Sequence, residues 1–222
     1  MYHHSALVFG LFCASLIRLS YVAVDIYLTV HYVTYTSLPM YRRMYVQKNI
    51  VKSVCLALML PPAVYFIVYP IWAFDIWHTF HIHYFAVLYG ANDFVGLVCV
   101  DKLPKTTRIH HVVSTCLVLT SLGMDFQTSP MAQSMLVYTF FAASSYIVNY
   151  HLAVRWLFKR GEKVWLRRCA AAIYALCCAI SWSWQLMWLY RTPLQLYHYV
   201  YIALMFMIVR DDIILMQWLT TI

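Results

Sequence analysis

The sequence predicts an all-α integral membrane bundle of about seven transmembrane helices, with residues 1–222 forming a single domain. Three observations predict it. Hydrophobic residues make up 64% of the chain and charged residues only 11%, where soluble domains have about 45–50% and about 25%. Mean hydropathy is +0.68, so lipid is the solvent for most side chains. The apolar residues fall into stretches near the roughly 20 residues that a helix needs to cross a bilayer, and the cations alternate between the loops that join them.

The stretches run over about 5–33, 53–74, 82–101, 109–124, 131–157, 169–190 and 194–215. Helices and closed barrels alone satisfy their own backbone in lipid, and no stretch alternates with the period of two that a barrel strand needs. Residues 1–5 carry no basic cluster and no small-x-small cleavage site follows, so the first stretch is expected to stay as a helix. Its Arg18 and Asp25 lie seven residues apart on one face, as groups that pack against neighbouring helices would. In the second stretch Pro61 and Pro62 are expected to kink the helix. The third follows an HxxHxH cluster (His78, His81, His83) and carries Asp93. Pro104 suits the first turn of the fourth, which carries His110 and His111, and the fifth carries Asn149.

Charge orients these elements. The segments after the first, third and fifth stretches hold Arg42, Arg43, Lys48 and Lys52; Lys102, Lys105 and Arg108; and Arg155, Lys159, Arg160, Lys163, Arg167 and Arg168. These are thirteen of the sixteen cations. The opposite segments hold Asp75, Asp125 and only Arg191. The net charge of +8 is thus explained by topology and anionic headgroups, and no nucleic-acid partner is expected. The seven cysteines lie in apolar runs without CxxC or Cys–His spacing, as small hydrophobes do.

Ionisable groups at membrane depth are costly, and that cost marks candidates. Helical rise places His110 and His111 about 9–10 Å in from Pro104, Asp93 about 12 Å in from Asp101, and Asn149 about 9 Å in from Arg155. Adjacent helical residues diverge by about 100°, so one imidazole is expected to face a shared cavity while the other bonds to the third or fifth helix. A histidine oriented by a carboxylate is the arrangement of a general base or nucleophile. The bland alternative is a pair of interhelical hydrogen-bond donors. The cluster of His78, His81 and His83 belongs to the opposite side from His110, His111 and His151, so one di-iron-type centre cannot use both sets. No metal is expected there, and a haem held by His111 and His151 is only weakly signalled.

The motifs Tyr89-Gly90-Ala91-Asn92-Asp93, Ile109-His110-His111-Val112-Val113-Ser114 and Ser144-Ser145-Tyr146-Ile147-Val148-Asn149, followed by Arg155-Trp156, occur in this order. Together they resemble the TLC-domain membrane family, which includes the ceramide synthases, over about residues 72–161. The resemblance implies an endoplasmic reticulum protein acting on membrane lipid, with acyl transfer from acyl-CoA as co-substrate to a lipid amine and no other cofactor. It implies His110, His111 and Asp93 as catalytic residues, and Asn149, Arg108 and Arg155 as substrate-binding ones, the basic loops receiving the CoA phosphates. The chain departs from the family pattern in having no acid between Pro130 and Arg155, and Ala142 where the smaller relatives often carry glutamate. A non-catalytic subunit of a larger membrane complex, in the same or an organellar inner membrane, is the alternative expectation.

The topology is open to direct test. Single cysteines placed at Lys105 and Lys163 are expected to label from the same side of the membrane, and one at Asp125 from the other. Labelling of 105 and 163 from different sides would remove both the topology and the depth argument built on it.

Overall fold

The computed structural model describes residues 2–73, 76–158 and 163–221. Asp75, Lys159 and Arg160, which enter the charge pattern, lie outside the described residues. Helices α1 (Tyr2–His31), α2 (Val33–Thr36), α3 (Met40–Ala63), α4 (Tyr69–Ala73), α5 (Thr79–Cys99), α6 (Lys105–Ser121), α7 (Pro130–Ser144), α8 (Tyr146–Val154), α9 (Val164–Arg191) and α10 (Leu196–Thr220) follow in order, and no strand occurs among the described residues. Four apolar segments are long enough to cross a membrane: α1, the run from α3 through α4, α5 and α9. A fifth is added when α7 and α8 are taken as one bent span. The chain is therefore a helical protein of several membrane spans. α6 has only 17 residues, and α10 carries Arg210, Asp211 and Asp212 along its length. Those two helices separate the observed count from the expected seven.

Local chemistry explains the irregularities. Pro61 and Pro62 lie inside α3, where each lacks an N–H, and the helix passes through a wider π-helical turn at Val64–Val68 before resuming as α4. The stretch 131–157, expected as one helix, breaks by 40° between α7 and α8. There Ser144 Oγ donates to the Phe140 carbonyl at 2.9 Å and Ser145 Oγ to the Ala142 carbonyl at 2.8 Å. Such hydroxyls compete with the helical N–H groups and bend the ladder. Ser129 caps α7 by accepting from Ala132 N–H, with Pro130 in the first turn.

α3, α5, α6, α10, α9 and α8 pack neighbour to neighbour and close into a ring. α1 stands outside it against α3 and α5, burying Cys13, Ile17 and Tyr21 inward and leaving Val8, Leu11 and Leu19 exposed as lipid-facing residues. Asp25 on α1 accepts hydrogen bonds from Tyr35 Oη and, at 2.7 Å, from Gln47 Nε2, so it does pack against its neighbours.

The two ends of the bundle differ in charge. At one end Arg42 sits over the Trp156 ring at 4.5 Å, Lys102 over the Tyr41 ring at 4.9 Å, and Thr34 Oγ1 donates to the Leu157 carbonyl at 2.8 Å. Three cation-bearing segments thus share one end. At the other end Thr79 Oγ1 donates to Asp125 Oδ1 at 2.7 Å and Trp77 N–H to Gln127 Oε1 at 2.7 Å. The Thr79 hydroxyl, helped by the Gln127 N–H, holds the exposed Asp125 carboxyl below its ordinary range. At this end, too, His78 stacks on Tyr65, His81 stacks on Phe66, and His83 Nε2 meets the Met124 carbonyl at 3.1 Å.

Lys48 and Lys52 correct the charge reading. Both are on α3 and buried in the bundle, so the first of the three cationic segments contributes only Arg42 and Arg43 to the membrane surface. The apolar run begins at 53, and averaging hydropathy along the chain assigned the preceding helical turns to a loop.

Small residues set the closest helix approaches. A methyl group on Gly90 of α5 would lie 3.0 Å from Cγ1 and 3.2 Å from Cβ of Val118 on α6, a β-branched side chain with little freedom to move. Gly90→Ala is expected to destabilise the bundle by about 1–3 kcal/mol through overpacking. Adding Val118→Ala should relieve part of that cost, a favourable coupling that a double-mutant cycle of unfolding in detergent measures.

Candidate active site

The ring surrounds a half-open cavity of about 300 Å³. α3 supplies Tyr45, Lys48, Asn49 and Lys52, positions that recur at helical spacing and so share one face. α6 supplies His110 and His111, α8 supplies Asn149, and Arg155 follows directly after α8. α9 contributes Tyr174 and Ser181, and α10 contributes Asp211 and Asp212.

Behind this lining stands Asp93 of α5, fully buried at 0% exposure. Its Oδ1 accepts from Lys52 Nζ of α3 in an ion pair, and its Oδ2 accepts from Ser114 Oγ of α6 at 2.5 Å. His111 Nδ1 approaches Oδ1 at 2.9 Å, as an electrostatic contact off the line of a straight N–H···O bond. His111 and Ser114, three residues apart, present one face of α6 to the same carboxylate. With Nδ1 turned to Asp93, Nε2 is the nitrogen left for a ligand.

His110 turns the other way, its Nδ1 lying 3.3 Å from Asp211 Oδ2 on α10. The two imidazoles meet edge to face, 5.9 Å between centroids. The neighbouring Asp212 accepts from Tyr174 Oη at 2.7 Å. Several buried polar atoms have no protein partner among the described residues, including Asn49 Oδ1, Ser181 Oγ and Arg155 Nε, all on residues that line the cavity. Buried polar atoms are ordinarily paired, and these three belong to the polar lining of the cavity.

The structure brings together His110, His111, Asp93, Asn149 and Arg155. It does not bring in Arg108, which is exposed and donates to the Asp101 carbonyl at 3.0 Å, at the start of α6 outside the cavity. Both histidines reach the cavity, where one alone was expected. The 100° between them is used by two different acids, and the second acid comes from α10, not from the third or fifth stretch. His151 lies off the cavity, buried beside Trp218 with 6.0 Å between ring centroids.

Sequence reasoning missed Lys48, Lys52, Asp211, Asp212 and Tyr174. A signal existed for the acids: they are the only two in the last apolar stretch, and acids at membrane depth face the interior by default. The lysines four residues apart were legible only once α3 was known to start at Met40. Compared with protein-family models, with curated proteins and with solved structures, the chain matches none.

Removing one partner of a buried ion pair strands the other's charge. Lys52→Met is therefore expected to cost about 3–5 kcal/mol of stability, while Lys52→Met combined with Asp93→Asn recovers part of it. Unfolding in mixed detergent micelles reads both. A Lys52→Met protein as stable as the unsubstituted chain would mean that the pair does not hold the ring together.

Proposed function

We propose that this chain is a membrane enzyme of about seven spans that transfers an acyl group from a thioester such as acyl-CoA to a lipid amine. The observation that carries the reading is the pair of adjacent histidines at an internal cavity, each facing a carboxylate from a different helix. The resemblance to TLC-domain proteins points to the same residues. The acid missing from the fifth stretch has a counterpart in Asp211, which lies beyond the resembling region.

In this reading His111 Nε2 takes a proton from the attacking amine as its nitrogen bonds to the thioester carbonyl. Asp93 stabilises the imidazolium that forms, and the carbon–sulfur bond then breaks. The departing thiolate recovers the proton from the imidazolium. His110, held by Asp211, is placed to donate to the carbonyl oxygen as negative charge develops there. Asn149 and Arg155 line the cavity where substrate would bind, and Arg108 belongs with Lys102 and Lys105 to the cationic end where CoA phosphates would first land. Membrane lipids are the partners, and the endoplasmic reticulum is the compartment the resemblance suggests. A purely structural subunit has less support. A cavity lined by buried charges costs stability, and apolar packing would serve a scaffold at least as well.

The test is acyl transfer by purified protein in liposomes, from radiolabelled long-chain acyl-CoA to a panel of long-chain amines. His111→Ala is expected to lower the rate by about 10²–10⁴-fold, the usual contribution of a general base, with the protein still inserted and folded. Transfer that survives in His111→Ala, or no transfer to any amine by the unsubstituted protein, would overturn the reading.

A further inference from the structure

α3 and α5 face each other across two successive turns, and only one of those turns is balanced in charge. Lys52 of α3 meets Asp93 of α5. One turn nearer the cationic end, Lys48 of α3 meets Gly96 of α5: a methyl group on Gly96 would lie 3.2 Å from Lys48 Cε and 3.5 Å from its Cγ. The lysine stem therefore runs along bare backbone where its neighbour finds a carboxylate. Lys48 is only 3% exposed, lines the cavity, and is absent from every hydrogen bond and ion pair between described residues. Its nitrogen sits 5.7 Å from the centre of the Tyr45 ring, with Lys52, Asp93 and Asp211 acting on it only through space.

A second cation shares that ring. The Arg155 guanidinium lies 5.8 Å from the Tyr45 centroid and 4.5 Å from that of Trp218. It lines the same cavity, has no carboxylate partner among the described residues, and its buried Nε is unpaired. A buried and a half-buried cation beside one aromatic ring, neither with a carboxylate in direct contact among the described residues, are an expensive arrangement for a protein to hold alone. Aromatic contacts offset part of the cost but supply no hydrogen-bond acceptor to either cation. The buried carboxylates nearby are engaged elsewhere: Asp93 by Lys52 and Ser114, Asp211 by His110, Asp212 by Tyr174.

We propose that Lys48 and Arg155 form an internal anion subsite that takes a phosphate group of the bound ligand, with Tyr45 as its floor. The phosphate belongs either to a lipid headgroup that enters the ring or to a soluble phosphate ester. Guanidinium and ammonium donors suit it, the first by its fork of N–H groups and the second as a point charge. The subsite does not depend on acyl transfer and would serve a bundle that only binds lipid.

The experiment is ligand-induced thermal stabilisation of the purified, delipidated chain in a maltoside detergent. The probes are dioctanoyl phosphatidic acid, dioctanoylglycerol, which lacks the phosphate, and adenosine 3′,5′-bisphosphate. A shift with phosphatidic acid assigns the subsite to a lipid headgroup, and a shift with the bisphosphate alone assigns it to a soluble ester. Dioctanoylglycerol is expected to give none in either case. Lys48→Met and Arg155→Gln should each weaken the effective probe by about 10- to 100-fold, as loss of a charge-assisted hydrogen bond does, and Lys48→Arg should retain it. Arg191→Gln, exposed at the end of α9 and away from the cavity, should change nothing. Without ligand, Lys48→Met should melt at or above the temperature of the unsubstituted chain, because it removes a buried charge that has no carboxylate in direct contact. No shift with either phosphate probe, or a shift indifferent to Lys48→Met, would overturn the subsite. So would a ligand-free Lys48→Met chain that melts lower.

Discussion

The Asp93 carboxylate is the point on which the ring depends. It is buried among helices whose outer faces meet lipid, where an uncompensated charge is costly. Three groups from two other helices answer it: Lys52 from α3, and His111 and Ser114 from α6. Because each helix brings its group only at one rotation and one height, satisfying Asp93 fixes how α3, α5 and α6 turn toward one another. The close approach of Gly90 to Val118 allows the α5–α6 spacing that this requires. Interhelical contacts between small residues and buried polar groups are the usual means of fixing helix packing where lipid removes the hydrophobic drive.

From that anchor the rest of the ring follows around the cavity. His110, one residue from His111, cannot reach Asp93 and instead meets Asp211, which draws α10 against α6. Tyr174 then ties α9 to α10 through Asp212, and Ser53 Oγ donates to the Tyr146 carbonyl at 3.0 Å, joining α3 to the start of α8. The break at Ser144 and Ser145 aims Asn149 and Arg155 at the interior. The two histidines are chemically unequal as a result. His111 shares a carboxylate that is already held by a cation and a hydroxyl, whereas His110 faces an acid with fewer competing partners.

The opposite end of the bundle is held by apolar packing. Apolar contacts among Leu56, Met59, Ile67, Phe85, Phe126 and Leu136 fill it, and the two loops there are joined through Thr79, Asp125 and Gln127. The imidazoles of His78 and His81 lie against aromatic rings, and that of His83 against a backbone carbonyl. The cavity accordingly belongs to the cationic half of the bundle, lined by residues such as Tyr45, Pro104 and Arg155.

The sequence by itself determined the class of protein, because lipid accepts few charged side chains and only self-satisfied backbone, and both limits are written in composition and run length. It also led to the expectation that Asp93, His110, His111 and Asn149 lie at similar depth, since rise along a helix is a fixed distance per residue. What it left open was rotation and partnership. Hydropathy averaged along the chain placed Lys48 and Lys52 in a loop, since a window cannot see that they occupy the inward face of a helix begun at Met40. Nothing local to His110 indicated that its acid would be Asp211, a hundred residues away on α10. Tertiary structure decided these matters because the environment of a buried charge is set by the group across from it, and that group is brought there only when the ring closes.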